Sequence, residues 1–79
     1  MKKFVKDQAG ENLVEASGVL FREETTDRGV IRYWIGQNEK KEWKILGEYS
    51  TFKRLCEVFN EITSFLNDKE RFVYEMPKE

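Results

Sequence analysis

The clearest pattern of apolar positions lies in the last third of the chain and has the spacing of an α-helix. Apolar side chains recur there every three or four residues, at Phe52, Leu55, Cys56, Phe59, Ile62 and Leu66, and Val58 and Phe65 extend the same face. Ser50 and Thr51 precede this run, and their side chains are typical helix N-caps. The pattern predicts an amphipathic helix over about 51–67, with an apolar arc of about half its circumference.

The rest of the chain shows the alternation of apolar and polar residues that is typical of β-strands. Residues 30–35 and 43–49 are rich in β-branched and aromatic side chains, and they flank a polar stretch that predicts a hairpin loop at 36–41. Shorter alternating runs predict further strands at 3–6, 13–16, 19–23 and 71–76. We therefore expect an α+β fold, in which the helix packs on one face of an antiparallel sheet of four to six short strands, in a single domain over 1–79.

Composition narrows the chemistry that this chain can perform. Its 79 residues include 14 Lys and Arg, 15 Asp and Glu, no histidine and a single cysteine, Cys56. One thiol excludes an intrachain disulfide, and a chain without histidine lacks the ligands of the usual zinc sites. Charge this balanced does not encode a general attraction to a nucleic acid backbone. We expect no cofactor and no metal.

The apolar runs are too short for a membrane protein. None reaches the roughly 20 residues of a membrane-spanning helix. The basic start of the chain meets Asp7 and Gln8 where a signal peptide has its apolar stretch. These features predict a cytoplasmic protein with no membrane partner.

Candidate catalytic residues are scarce. Histidine, the commonest general acid or base, is absent, and Cys56 lies on the apolar face of the predicted helix. A reactive thiol needs an exposed, electropositive environment, so we interpret Cys56 as a structural residue. The sequence therefore predicts a non-enzymatic protein that works by binding.

The first candidate binding site is an aromatic platform beside the predicted hairpin loop. Trp34 and Trp43 flank that loop, and Arg32 and Lys44 are their sequence neighbours. Exposed tryptophan and arginine side chains are frequent in protein interfaces and in surfaces that stack nucleic acid bases. The alternative is that the two indoles face each other across the hairpin and only stabilise it.

The second candidate site lies at the start of the predicted helix. Ser50, Thr51, Lys53 and Arg54 place hydroxyls and cations beside the free amides of the first turn, where the helix dipole favours an anion. This arrangement predicts a site for phosphate or carboxylate. The alternative is that both cations are simply solvated.

The third candidate site is a self-association surface on the helix. An apolar arc of about half the circumference is wider than one small sheet needs to cover. Val58 and Phe65 lie at the edge of this arc, so we expect them to stay exposed and to pair two chains in a homo-oligomer. The alternative is that the N-terminal strand or the closing strand covers them.

The C-terminal half also carries a family resemblance. Ile45–Thr51, then Arg54, Val58, Glu61 and Ile62, and the ending Tyr74–Pro77 resemble segments of small proteins from phages and prophages of Gram-positive bacteria. That group has no agreed activity. The resemblance therefore implies a biological context for the protein, but it identifies no site residues. It implies an accessory factor of a mobile element that binds and modulates a host component.

Three classes of partner stay open at this point. The first is a host or phage protein. The second is a small anionic ligand, such as a nucleotide signal held by an oligomeric sponge. The third class, which the sequence favours less than the other two, is a nucleic acid.

Overall fold

The computed structural model describes residues 2–79 and contains six strands and one helix. The elements in chain order are β1 (Phe4–Lys6), β2 (Leu13–Glu15), β3 (Leu20–Thr25), β4 (Ile31–Glu39), β5 (Glu42–Tyr49), α1 (Phe52–Asn67) and β6 (Val73–Glu75). The predicted α+β class, with antiparallel strands and one packed amphipathic helix, is confirmed.

The strands form two small sheets. One is a meander in the order β3-β4-β5 with antiparallel neighbours. The other has the order β2-β1-β6, in which β1 is antiparallel to β2 and parallel to β6. Gln8 joins the two sheets, because its amide donates to Leu46 O at 2.8 Å and its side chain bonds both the amide and the carbonyl of Glu48.

The predicted loop at 36–41 is wrong in extent. β4 continues to Glu39, and only Lys40 and Lys41 lie outside the strands, with φ of 49° and 73°. Two positive φ angles are the mark of the tight turn that best fits the twist of a hairpin. The polar residue Gln37 stays in the strand because its buried amide accepts from Ser17 N and donates to Glu15 O.

A β-bulge in β5 separates the two faces of the larger sheet. Ile35 pairs with Gly47 and Gly36 pairs with Ile45, which leaves Leu46 as an extra residue. Leu46 is buried in the core, whereas Ile45 is 43% exposed. The bulge thus lets two consecutive apolar residues serve opposite faces.

The helix packs between the two sheets through one stripe of side chains. Thr51 is its N-cap, and the Thr51 hydroxyl accepts a hydrogen bond from Arg54 N at 3.1 Å. The core stripe consists of Leu55, Val58, Ile62 and Phe65, all at most 1% exposed. These side chains meet Val5, Ile35, Leu46, Tyr49, Tyr74 and Met76 in a single hydrophobic core.

The predicted self-association residues are therefore wrong. Val58 and Phe65 are fully buried, and the ring of Phe65 lies 5.6 Å from that of Tyr74 in β6. The second sheet covers this edge of the apolar arc, which was the stated alternative. The uncovered edge is the opposite one, where Phe52 and Leu66 are 49% and 40% exposed.

Lys3 fixes the C-terminal end of the helix. Its ammonium donates to the carbonyls of Phe65, Asp68 and Arg71, and it lies 4.7 Å from the ring centre of Phe65. The last carbonyls of a helix lack partners within the helix and carry partial negative charge. One cation thus ties β1, the end of α1 and the segment before β6 together.

We expect Lys3→Met to lower the free energy of unfolding by about 2 kcal/mol, because the three carbonyls lose a charged donor. Chemical denaturation with circular dichroism measures this change. The matched control is Lys2→Met, which removes the same charge from an exposed neighbour and should stay within about 0.5 kcal/mol of the wild type. Equal stability of the two variants contradicts the role assigned to Lys3.

Candidate functional site

An uncovered surface with distinctive chemistry is the face of the β3-β4-β5 sheet that points away from the helix. Cross-strand partners share a face, and the register aligns Leu20 with Gly36 and Ile45, and Arg22 with Trp34 and Glu48. We call this surface the outer face. Its residues are Leu20, Arg22, Glu24, Arg32, Trp34, Gly36, Asn38, Trp43, Ile45 and Glu48.

Trp43 is held against the sheet by the absence of a side chain at Gly36. A Cβ on Gly36 would lie 2.8 Å from Trp43 Cζ2 and would also meet the main-chain oxygen of Lys44. The guanidinium carbon of Arg22 lies 4.4 Å from the centre of the Trp43 ring. Trp43 is thus packed on Gly36 and covered by a cation, in a small cluster that spans all three strands.

The two indole N–H groups of this cluster lack acceptors. Nε1 of Trp34 and Nε1 of Trp43 are buried, and they are the buried side-chain polar atoms without a hydrogen bond within residues 2–79. Each such donor costs about 1–3 kcal/mol relative to a bonded one. Any rearrangement that supplies an acceptor to either indole is therefore favoured.

The structure keeps three of the four predicted platform residues together. Arg32, Trp34 and Trp43 share the outer face, and Arg32 forms an ion pair of 2.6 Å with Glu48. Lys44 is opposite Gln37, on the other face, so its assignment to the platform is wrong. It lines an open depression at the hairpin end of the sheet, together with Glu15, Glu39, Glu42 and the outer-face residues Trp43 and Ile45.

The predicted pairing of the two tryptophans across the hairpin is also wrong. Trp34 is opposite Glu48, and Trp43 is opposite Asn38. The hairpin turn lies at Lys40 and Lys41, so its register differs from the one that a longer loop implies. The Trp43 indole instead packs on Gly36 and under Arg22, and Trp34 lies opposite Arg22 of β3.

Sequence reasoning missed Leu20, Arg22 and Ile45 as members of this surface. The alternation in β3 does place Leu20 and Arg22 on a common face. Nothing local says which strand β3 pairs with, or that a bulge at Leu46 turns Ile45 outward. The register, and hence the neighbours of Trp43, arises only in the folded sheet.

The predicted anion site is filled by groups of the protein itself. Arg54 Nε donates to Glu79 O at 2.8 Å, and the Arg54 guanidinium lies 3.4 Å from Glu57 Oε1 and 3.8 Å from Glu61 Oε2. Ser50 Oγ lies 3.4 Å from the carboxylate of Glu79, and the Thr51 hydroxyl is used by the N-cap. Lys53 is exposed. The charge of Arg54, one of the two cations expected to attract an anion, is therefore already compensated.

The same region holds a buried phenol. Tyr49 is 2% exposed, and its hydroxyl donates to Pro77 O at 2.8 Å. Burial raises the pKa of Tyr49 to about 12. Burial also raises the pKa of Tyr74, helped by the hydrogen bond of 3.0 Å to the Glu61 carboxylate. These two tyrosines act as neutral donors in the core.

Comparisons with protein-family models, with curated proteins and with solved structures found no match to this chain. Within residues 2–79, no helix is long and apolar enough to cross a membrane. The same range contains no cluster of three or more His, Cys, Asp or Glu side chains that could hold a metal ion. What the protein binds is therefore inferred from its own surfaces.

We expect Gly36→Ala to destabilise the fold by about 3 kcal/mol, because the new methyl group overlaps both the indole of Trp43 and the backbone of β5. The displaced indole should show red-shifted fluorescence. The control is Gly29→Ala, where φ is +79° but a Cβ meets nothing within 4 Å. That variant should cost only about 1–2 kcal/mol of backbone strain and leave the emission unchanged. Native emission in folded Gly36→Ala contradicts the assigned packing.

We expect the fold to lose stability as the pH rises from about 10 to about 12. The unfolded chain ionises its tyrosines near 10, whereas folded Tyr49 keeps its proton until the pH reaches about 12. The unfolded state therefore releases the proton first and gains stability over this interval. Denaturation midpoints between these pH values measure the effect, and Tyr49→Phe/Tyr74→Phe should flatten the dependence. An unchanged slope in this double variant rules out tyrosine ionisation as the cause.

Proposed function

We propose that this protein is a non-enzymatic interaction protein whose outer face binds another protein. The observation that carries this proposal is the cluster of Trp34 and Trp43, whose buried N–H groups lack acceptors, between Leu20 and Ile45, which are 49% and 43% exposed. Tryptophan and arginine dominate the energetics of protein interfaces. An uncovered sheet face with large apolar side chains is also the kind of patch that marks an interaction site.

A protein partner fits this face better than a nucleic acid. Its four charged side chains are Arg22, Arg32, Glu24 and Glu48, which sum to zero. A nucleic acid surface needs an excess of positive charge, and base stacking needs an open aromatic ring. The ring of Trp43 is covered by Arg22, and Arg32 is neutralised by Glu48.

Arg22 indicates a further chemical property that the partner needs. None of the ion pairs formed by residues 2–79 includes Arg22, whose guanidinium lies over the indole of Trp43. A guanidinium with free donors favours a carboxylate, which it can bind through two parallel hydrogen bonds. The partner is therefore an apolar protein surface that carries an acidic side chain.

A small anionic ligand is the weaker candidate. The site proposed for it is occupied by Glu79, Glu57 and Glu61 around Arg54. A phosphate must displace these carboxylates before it reaches the cation. The compensated charge favours a structural role for Arg54, which ties the C-terminal segment to the helix.

The phage or prophage setting is part of this proposal and rests on the sequence resemblance. Six of the residues that carry that resemblance are buried in the core, namely Leu46, Tyr49, Val58, Ile62, Tyr74 and Met76. Shared core residues support a shared fold. They do not define a shared binding site, so the partner in a Gram-positive host is to be found by experiment.

We expect Leu20→Glu/Ile45→Glu to abolish capture of a host protein. Both side chains are exposed on the outer face, so the fold should persist while two charges oppose the apolar contact. The matched control is Leu13→Glu/Val73→Glu, which alters residues that are 57% and 49% exposed on the other sheet. Affinity capture from a Gram-positive host lysate, with quantitative mass spectrometry, should show at least a tenfold loss for the first variant only.

Circular dichroism must first show that both variants are folded. Equal recovery of every captured protein by the wild type, the outer-face variant and the control contradicts the assignment of the outer face. Recovery of nucleic acid in place of protein, lost in the outer-face variant, contradicts the class of partner.

A further inference from the structure

The helix carries a second stripe of side chains besides the one that enters the core. Phe52, Cys56, Phe59, Thr63 and Leu66 follow one another at alternating spacings of four and three residues. We call these residues the outer stripe. At about 100° per residue, its centre lies about 100° around the helix from the centre of the core stripe. Side chains with this alternating spacing form the contact surface between helices that pack against each other.

The outer stripe is exposed at both ends and partly buried in the middle. Phe52 and Leu66 at its ends are 49% and 40% exposed, Thr63 is exposed, and Cys56 and Phe59 are partly buried. Phe59 contacts Phe21 of β3 edge to face, with ring centres 5.0 Å apart, and Phe21 is itself 50% exposed. The apolar surface therefore extends from the helix onto the neighbouring strand.

We propose that the outer stripe is a dimer interface, on which the helix of a second copy of this chain packs antiparallel. This inference is independent of the proposed function, because the outer stripe and the outer face lie on different sides of the sheet.

The first argument is the symmetry of the stripe. Phe52 and Leu66 lie seven residues on either side of Phe59. A two-fold axis beside Phe59 therefore brings Phe52 to the level of the partner's Leu66, and Cys56 close to the level of the partner's Thr63. An interface with this symmetry is self-complementary, as a two-fold dimer requires.

The second argument is the chemistry of the stripe and its border. On the helix, Asn60 and Asn67 border the solvent side of the stripe, together with Lys53, which an antiparallel pair places near the partner's Asn67. No like charges of the two helices are therefore brought together along this border. The Thr63 hydroxyl donates to Phe59 O at 3.0 Å, so it presents its methyl group to the interface with its polar group already satisfied.

The free edge of β3 is a poorer place for two copies to meet. A two-fold pair of β3 strands centred on the strand sets Arg22 against Arg22, or Glu23 against Glu23, depending on the register. Like charges directly opposite each other destabilise a sheet. Charged residues along an edge strand are a common protection against such pairing.

The length of the stripe sets the strength of the dimer. The fifteen residues from Phe52 to Leu66 span about 21 Å of helix. A single stripe of this length buries less surface than a stable interface does. The dimer is therefore a weak one, observable at micromolar to millimolar concentration.

The first test is sedimentation of the full chain over that concentration range. The wild type should dimerise, and Phe52→Lys/Leu66→Lys should remain monomeric at every concentration while keeping its circular dichroism spectrum. The matched control, Leu13→Lys/Val73→Lys, adds the same charges at exposed apolar positions of the other sheet and should dimerise like the wild type.

The second test traps the antiparallel geometry. Thr63→Cys places a thiol opposite Cys56 of the partner subunit, and the two thiols of one chain are about 10 Å apart along the helix, too far for an intrachain disulfide. With diamide as the oxidant, this variant should form a covalent dimer at least tenfold faster than Glu57→Cys, whose new thiol lies on the far side of the helix.

Three results overturn the dimer. One is a wild type that sediments as a monomer throughout, with equal cross-linking rates for the two cysteine variants. Another is a dimer that persists in Phe52→Lys/Leu66→Lys, which places the interface elsewhere. The third is a monomeric wild type whose capture of a host protein is lost in that variant, which assigns the outer stripe to a different partner.

Discussion

The burial of Leu55, Val58, Ile62 and Phe65 against two sheets at once is the packing on which this structure depends. Neither three-stranded sheet is large enough to form a core alone, because its strands are short and each has only one face to bury. The helix supplies the common surface, and the second sheet reaches it through Val5 and Tyr74. A chain of this size has little other means of stabilisation, since it has one cysteine and forms no disulfide within itself.

Three polar side chains hold the elements around that core in place. Lys3 neutralises the carbonyls at the end of α1, Gln8 bonds the main chain of β5 and the C-terminal segment, and Gln37 bonds the segment that enters β3. Each of these side chains forms hydrogen bonds with main-chain groups for which the short strands provide no main-chain partner. Because these contacts join residues distant in sequence, they also decide which surfaces remain uncovered.

Apolar side chains stay at the surface on the outer face and on the outer stripe, and also at Leu13 and Val73 of the other sheet. The outer face of the larger sheet has no covering layer, and its Trp43 packs on Gly36 and under Arg22. The helix turns its core stripe toward the sheets and leaves the outer stripe, with Phe52 and Leu66, at the surface.

The sequence alone determined the helix, an N-cap at Ser50 or Thr51, the strongest strands and the α+β class, because these follow from local periodicity and local side-chain chemistry. It also indicated that the helix has more apolar surface than one sheet covers. Only the tertiary structure decided which edge of that arc is buried. Periodicity predicts the width of an apolar arc but not the side on which a second sheet packs. For this reason the prediction that Val58 and Phe65 are exposed is wrong.

The same division applies to the candidate sites. The chemistry of Trp34, Trp43 and Arg32 was enough to predict them as candidate site residues from the sequence. The bulge at Leu46 and the two-residue turn decided which residues lie next to them. Successive residues of a strand point to opposite faces, so Lys44 lies on the face opposite to Trp43 and Ile45 lies on the same face as Trp43. At the helix start, the sequence correctly located the hydroxyls and cations, but only the fold brought Glu79 to Arg54. Contacts between residues far apart in the chain depend on the packing of the whole protein, and local sequence patterns do not predict them.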